Sequence, residues 1–218
     1  MKILAVETSG KTFSVALNEN DITIASCYYD YGNIHSEMII LVIERLLKDT
    51  GNTFNSIDKF AVSTGPGSFT GIRVGMTAVK TFAQILDKPV TAIDTLTILE
   101  KSFVKIKGTK IVSAIDALRN EVYVKAGREI ITKNIDSFIK DSEKYKNEIL
   151  VIGNGAIVYK EKLSKELGKY SVSLPYSMHI PKAQVLATLA FYSTKDEIYA
   201  KIKPLYIRRS WAEETNRK

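Results

Sequence analysis

Two short polar segments of this chain have residue types suited to binding an anion, and each follows an apolar run of β-favouring residues. The first is Glu7-Thr8-Ser9, and the second is the glycine-rich segment 63–75, Ser-Thr-Gly-Pro-Gly-Ser-Phe-Thr-Gly-Ile-Arg-Val-Gly. A glycine turn that leads into a helix directs several backbone N–H groups to one point, where the helix dipole adds partial positive charge. The sequence therefore predicts an anion or nucleotide site, with these candidates: Glu7, Thr8, Ser9, Gly65, Gly67, Ser68, Thr70, Arg73 and Asp116.

The start of the helix after the glycines can be placed from its capping residues. Thr70 is the best N-cap, and it would put Phe69 and Val74 at the two positions of a hydrophobic staple. Ser68 is the competing N-cap. The segment matches neither the P-loop nor the dinucleotide fingerprint, so neither of those two phosphate-binding motifs is predicted.

Arg73 stands in the first turn of this helix, where a cation is unfavourable unless an anion or a carboxylate lies beside it. Two interpretations follow. The segment is a docking site for a phosphate or an acidic residue, or it is a tight structural turn in which Arg73 pairs with Glu7 or Asp94. Spacing alone does not decide between them.

Residues that could carry out catalysis are few. His35 and His179 are the two histidines, they lie far apart in the sequence, and neither belongs to an HxxxH or HExxH zinc motif. Cys27 is the single cysteine, which excludes an internal disulfide and a structural thiolate–zinc site. We therefore predict no catalytic residue and no metal site in this chain.

Composition limits the class of protein. The chain has 218 residues, 45% of them hydrophobic and 25% charged, which is typical of a soluble globular protein with a sizeable core. No apolar run approaches the about 20 residues that span a membrane. An acid already stands at position 7, too early for a signal peptide, so a cytoplasmic location is expected.

Charge is distributed unevenly along the chain. Residues 1–105 carry 10 Lys or Arg against 11 Asp or Glu, a net charge of −1, whereas residues 106–218 carry 21 against 13, a net charge of +8. A basic second half indicates a nucleic acid or an acidic protein nearby, or a lysine-rich surface that faces only water.

The order of predicted elements indicates a duplicated α/β fold. Residues 1–105 read as strand-strand-strand-helix-strand-helix-strand-helix, which predicts a mixed sheet with helices on both faces. After a linker at 105–109 the pattern restarts, so residues 106–195 form a second, degenerate lobe, with a helix at 156–167 and a last helix from Pro181 to Ser193. Residues 196–218 are a tail expected to pack back on the body. Glu7 and Asp116 fall at equivalent strand ends.

The first two predicted helices carry more apolar residues than a sheet can cover. In the helix that starts near His35 and runs to Thr50, one stripe faces the sheet and leaves Met38, Leu41 or Val42 towards solvent. In the second, residues 72–87, a second stripe is formed by Val74, Ala78 and Ile85, and a glycine beside it would allow close approach of another helix. Two explanations of these surplus apolar residues remain open: they form a protein–protein interface, or they are buried under the tail. The interface candidates are Met38, Leu41, Val42, Arg45, Val74, Gly75, Ala78 and Ile85.

Several motifs, taken in order, resemble the TsaB family (formerly YeaZ or glycoprotease-like) across almost the full chain. They are Ile3-Leu4-Ala5-Val6-Glu7-Thr8-Ser9, His35-Ser36-Glu37, the segment 65–75, Ile115-Asp116-Ala117 with Glu121-Val122-Tyr123, and Pro204-Leu205-Tyr206-Ile207-Arg208. Family members commonly carry Arg directly after the Asp-Ala pair, whereas here Leu118 precedes Arg119.

This resemblance implies an actin-like (hexokinase/Hsp70 superfamily) fold without a complete nucleotide site. It also implies a non-catalytic subunit that supports TsaD in forming N6-threonylcarbamoyladenosine at position 37 of tRNA. The expected partners are a TsaD-like catalytic subunit docked on residues 36–48 and 71–85, a TsaE-like ATPase and tRNA within the complex, and a second copy when the chain is isolated.

The chain itself is expected to need no cofactor, with ATP and Mg²⁺ left to the complex. The alternative function is that of an autonomous ATPase or small-molecule kinase. A metallopeptidase is the third and least favoured function.

Overall fold

The structure is a computed structural model that describes residues 1–30 and 36–207. The predicted helix start at His35 and the final residues of the tail, from Arg208 onward, lie outside the described residues.

A five-stranded mixed sheet organises the first lobe. Its order is β3-β2-β1-β4-β5, in which β1, β4 and β5 are parallel and β2 and β3 are antiparallel neighbours. The strands are β1 (Lys2–Glu7), β2 (Phe13–Glu19), β3 (Ile22–Tyr29), β4 (Lys59–Ser63) and β5 (Val90–Ile93). Strands β1 and β4 are buried because helices cover both faces of the sheet. Parallel pairing brings Glu7 and Ser63 to the same edge of the sheet.

Two helices cover one face of this sheet, α1 (Ser36–Asp49) and α2 (Phe69–Leu86). They pack on the sheet and on each other through a core that includes Ile39, Ile43 and Val79. The other face is covered by α7 (Ala183–Tyr192). We predicted this last helix within the second half, whereas its small residues (Ala183, Ala187 and Ala190) let it lie close against the first sheet.

The second lobe repeats the first with one strand fewer. Its sheet has the order β8-β7-β6-β9, which corresponds to β3-β2-β1-β4, and a counterpart of β5 is absent from the sheet as described. The strands are β6 (Lys110–Asp116), β7 (Glu121–Ala126), β8 (Glu129–Asn134) and β9 (Ile149–Ile152). One face packs on α4 (Ile135–Ser142), α5 (Asn154–Val158) and α6 (Lys160–Leu167). The single helix predicted at 156–167 is wrong, because the backbone leaves helical geometry at Tyr159 (φ −104°, ψ 22°).

Helix α3 (Thr95–Lys101) joins the lobes. Leu96 and Leu99 pack among apolar residues of the second sheet. The Asp94 carboxylate caps α3 through the Thr97 N–H at 2.8 Å and pairs with the Lys125 ammonium, 3.3 Å away, on β7. The lobes are therefore joined by a packed contact and an ion pair in addition to the linker.

Residues 196–207 return to the first lobe. Glu197 pairs with Val90 as an antiparallel bridge, and the Thr91 hydroxyl donates to the Asp196 carboxylate at 2.8 Å. Ile202 is buried in the core beneath α2. Across the described ranges, no helix combines the length and apolar character that crossing a bilayer requires.

Candidate functional site

Three glycines spaced four residues apart receive the turn that follows β1. A Cβ added to Gly67 would lie 2.1 Å from the Ser9 carbonyl oxygen, and one added to Gly71 would lie 2.1 Å from the Thr8 carbonyl oxygen. A Cβ on Gly75 would lie 2.2 Å from the Thr8 hydroxyl. The spacing thus creates a groove along α2 for residues 8 and 9. The neighbour that requires glycine at position 75 is this turn, and not another helix as we predicted.

Helix α2 begins two residues earlier than the predicted N-cap, Thr70, implies. Its N-cap is Ser68, whose hydroxyl accepts a hydrogen bond from the Gly71 N–H at 3.1 Å. The Ser68 N–H itself donates to the Ser9 carbonyl at 2.7 Å. The prediction of Thr70 as N-cap, with a Phe69–Val74 staple, is wrong, because the turn after β1 fixes Ser68 in the capping position. Two N–H groups of the proposed anion site are consequently satisfied within the chain.

Arg73 interacts with the tail. Its Nε donates to the Tyr206 hydroxyl at 2.8 Å, and its guanidinium lies over the Phe69 ring, 3.9 Å from the centroid. Phe69 in turn packs on the Tyr206 ring, with 5.2 Å between centroids. The predicted pairing of Arg73 with Glu7 or Asp94 is therefore replaced by aromatic stacking, which a guanidinium favours.

Glu7 is a buried carboxyl group at the carboxyl end of β1. Its Oε1 accepts hydrogen bonds from the Ser9 N–H at 2.6 Å and from the Ser9 hydroxyl at 2.5 Å. Its Oε2 and the Ser63 hydroxyl are both buried. Burial raises the pKa of the Glu7 carboxyl, and hydrogen bonds from Ser9 and Ser63 oppose that rise. Such a group favours its protonated form in the folded chain.

This burial gives the first testable prediction. Because the folded pKa of Glu7 lies above the unfolded one, stability is full at low pH and falls as pH rises from about 4.3 through the folded pKa. Glu7→Gln removes that loss. We expect the variant to match the wild type near pH 4 and to exceed it at pH 8 by about 1 kcal/mol, the lower end of the desolvation cost of a buried polar group. Denaturant unfolding across pH measures this.

Glu19→Gln is the matched control, since it removes an exposed carboxyl group at the end of β2. Parallel stability curves for Glu7→Gln and the wild type over the whole pH range would show that ionisation of Glu7 does not lower the stability of the folded chain.

Asp116 occupies the equivalent end of β6 in different surroundings. Its Oδ1 accepts from the Leu118 N–H at 3.0 Å and from the Tyr159 hydroxyl at 3.2 Å. The following hairpin places Leu118, Arg119 and Asn120 at φ 61°, 54° and 59°, without a glycine. Glu7 and Asp116 thus lie at matching strand ends, as predicted, but each has its own local hydrogen-bond partners.

Two of the N–H groups of the predicted anion site already have partners within the chain. The Ser68 N–H donates to the Ser9 carbonyl and the Gly71 N–H donates to the Ser68 hydroxyl, while burial raises the pKa of the Glu7 carboxyl. Metal coordination would need converging ligands, and no three His, Cys, Asp or Glu side chains converge in the part of the chain the structure describes. His179 is buried, which lowers its pKa.

A second prediction tests the glycine groove. Gly75→Ala gains about 1 kcal/mol of helix propensity but forces a Cβ against Thr8, and overpacking of this kind costs about 1–3 kcal/mol. We expect a net loss of about 1 kcal/mol. In Thr8→Ala/Gly75→Ala the hydroxyl is gone, so stability should return to the level of Thr8→Ala alone or above it. A double-mutant cycle from urea unfolding measures the coupling, and additive effects would contradict the proposed contact.

The surface of α1 and α2 carries exposed apolar side chains. Met38 and Leu41 on α1 are 42% and 58% exposed, and Ile85 on α2 is 74% exposed. Val74 and Ala78 are partly buried at the edge of the core. We define the helix face as the exposed side chains Met38, Leu41, Arg45 and Ile85 together with the partly buried Val74 and Ala78 of α1 and α2.

Two of the predicted interface residues do not contribute to that face. Val42 is only 6% exposed and belongs to the core, so the apolar excess on α1 comes from Met38 and Leu41. Gly75 is buried against Thr8. The sequence did not show which of the six consecutive apolar residues in α1 are exposed, because the rotation of the helix about its own axis is set by tertiary packing.

The described part of the tail, residues 196–207, does not cover the helix face. It contacts α2 through Phe69, Arg73 and Lys80, whose Nζ donates to the Ile202 carbonyl at 3.2 Å. At about 100° per residue, these positions lie about 140° around the helix from the stripe of Val74, Ala78 and Ile85. Residues 196–207 and the helix face therefore occupy opposite flanks of α2.

The strand orders of the two sheets, which repeat one topology in two lobes, define a protein of the actin-like fold, as predicted. Similarity to solved structures agrees: YeaZ from Pseudomonas aeruginosa superimposes with a TM-score of 0.75 at 24% identity, over 94% of this chain and 99% of that one.

Sequence comparison identifies the family. A family model described as "TsaD: tRNA N6-adenosine threonylcarbamoyltransferase" matches residues 31–214, so the chain belongs to this family. Among its relatives, the tRNA threonylcarbamoyladenosine biosynthesis protein TsaB of Bacillus subtilis (strain 168) is 27% identical over 98% of this chain and 96% of that protein. TsaB of Haemophilus influenzae is also 27% identical, over 95% and 94%. The resemblance to the TsaB family is confirmed.

Proposed function

We propose that this chain takes part in the biosynthesis of tRNA threonylcarbamoyladenosine as a subunit without a catalytic role of its own. In this proposal it binds a TsaD-like catalytic subunit, which forms N6-threonylcarbamoyladenosine at position 37 of tRNA. The observation that carries the proposal is the helix face, whose apolar side chains are left exposed by both the sheet and residues 196–207 of the tail.

The surroundings of Glu7 support the non-catalytic role. General acid–base catalysis needs a titratable group within reach of a substrate. The Glu7 carboxyl is buried and bound by Ser9, so it does not meet that need. The Asp116 carboxylate is partly exposed and accepts hydrogen bonds from the Leu118 N–H and the Tyr159 hydroxyl.

The helix face has the composition of a docking surface. Met38, Leu41 and Ile85 supply apolar area that is costly to leave in water, and Arg45, whose side chain is 83% exposed, supplies a cation at its rim. The same face would serve a homodimer when no catalytic subunit is present. A TsaE-like ATPase and tRNA would then join through the assembled complex.

Reconstitution tests the function. The chain, the TsaD homologue of the same organism and the remaining pathway enzymes are combined with an unmodified tRNA transcript, and the modified nucleoside is measured by mass spectrometry. We expect modification to require this chain, and the chain to co-elute with the TsaD homologue. Full modification without it would overturn the proposal.

The ATPase alternative is tested in the same preparation. Calorimetry of the isolated chain with ATP and Mg²⁺, together with a phosphate-release assay, distinguishes the two functions. Submillimolar binding with turnover would favour an autonomous ATPase or kinase.

A further inference from the structure

A group of lysines lies at the opposite end of the second lobe from Asp116. We define the basal lysine patch as the exposed side chains of Lys107, Lys110, Lys144, Lys146 and Lys169 together with the rings of Tyr145 and Tyr170. The patch surrounds the amino ends of β6 and β9, whereas Asp116 follows the carboxyl end of β6.

Backbone hydrogen bonds bring the first part of the patch together. The Lys110 N–H donates to the Glu148 carbonyl at 2.7 Å, and the Glu148 N–H donates to the Tyr145 carbonyl at 2.8 Å. The Tyr145 ring lies 5.9 Å from the Lys110 ammonium and 5.2 Å from the Lys144 ammonium. One aromatic ring thus lies within about 6 Å of two cations.

The second part is attached through the segment after α6. The Asn147 N–H donates to the Leu167 carbonyl at 3.0 Å, which places Lys169 and Tyr170 beside Lys146. The Tyr170 and Thr109 hydroxyls are 3.4 Å apart, which links the turn that contains Lys107. The patch is therefore continuous in space, although it is assembled from three separate parts of the chain.

None of the five lysines of the patch forms an ion pair among the described residues, since no carboxylate lies within 4.0 Å of them, although the Lys144 charge helps to lower the pKa of Asp141. By contrast, Lys125, Lys133 and Lys162 elsewhere in this lobe each pair with an aspartate. Unpaired, exposed lysines that share one face form an electrostatic footprint for a polyanion. This arrangement distinguishes the patch from a lysine-rich surface that only faces water.

We propose that the basal lysine patch binds the sugar–phosphate backbone of RNA. The tyrosines favour RNA over an acidic protein, because the Tyr170 ring is 40% exposed beside cations and can stack on a base or ribose. The choice of RNA also rests on the proposed function. The patch lies on the second lobe and the helix face on the first, so the chain can bind RNA and a catalytic subunit together.

Fluorescence anisotropy with a labelled, unmodified tRNA transcript tests this surface on the full chain over a series of KCl concentrations. The patch variant is Lys110→Glu/Lys144→Glu/Lys146→Glu. The matched control, Lys160→Glu/Lys195→Glu/Lys201→Glu, changes the net charge equally at exposed sites outside the patch. Thermal melting verifies that both variants fold.

We expect the patch variant to bind at least about tenfold more weakly than the control, with a salt slope lower by about 2, since each lost phosphate contact removes about 0.7. Equal loss in both variants, or no binding by the wild type, would overturn the proposal. Competition by poly-glutamate as effective as by tRNA would instead assign the patch to an acidic protein. Co-elution of the patch variant with the TsaD homologue keeps this test separate from that of the proposed function.

Discussion

Val74→Asp is expected to abolish co-purification of this chain with a TsaD-like catalytic subunit. Val74 lies at the edge of the core on the helix face, and docking would enclose its side chain between two proteins. A carboxylate buried there without a partner costs several kcal/mol. We expect affinity to fall at least about a hundredfold, which corresponds to about 3 kcal/mol, as measured by co-elution and calorimetry.

Two further variants separate docking from folding. Ile85→Asp changes a side chain that is 74% exposed, so it should weaken docking without lowering the melting temperature. Gln84→Glu adds the same charge at an exposed neighbour that lies nearer the tail side of α2, and it should bind as the wild type does. If both aspartate variants retain wild-type affinity, the helix face is not the docking surface.

Gly71→Ala is expected to have the largest effect on stability. Its Cβ would lie 2.1 Å from the Thr8 carbonyl oxygen, and a backbone atom cannot rotate away as a side chain can. Either β1 or α2 must shift, so we expect a loss at or above the upper end of the 1–3 kcal/mol typical of overpacking. Urea unfolding followed by circular dichroism measures the loss.

Gly10→Ala is the matched control for that substitution. The glycine lies in the same turn, but an added Cβ would approach nothing closer than 3.4 Å. We expect a change within about 0.5 kcal/mol, as for ordinary surface positions. Equal destabilisation by Gly10→Ala and Gly71→Ala would show that the groove does not set the requirement for glycine.

Much of the architecture could be predicted from local patterns. The alternation of apolar residues located the strands, and the repeated order of elements predicted two lobes with Glu7 and Asp116 at matching positions. These features depend on hydrophobic periodicity and turn residues, which act over short stretches of sequence.

Features that depend on distant segments could not be predicted. The glycines at 67, 71 and 75 were compatible with an anion site, and only the path of residues 8 and 9 reveals that they receive another part of the chain. Arg73 could not be matched with Tyr206, 133 residues away, and α7 gave no local sign that it would cross to the first sheet. In each case the partner is set by tertiary packing.

The return of α7 to the first sheet has a consequence for biogenesis. Ala5, Ala16 and Ala61 on that sheet are covered by residues 183–190, so a nascent chain that ends near residue 105 leaves this side of its sheet open to water. The intervening lobe closes its own core within residues 112–172. Although it is translated later, we expect the intervening lobe to mature before the lobe that precedes it, and we expect premature termination to yield an aggregating fragment.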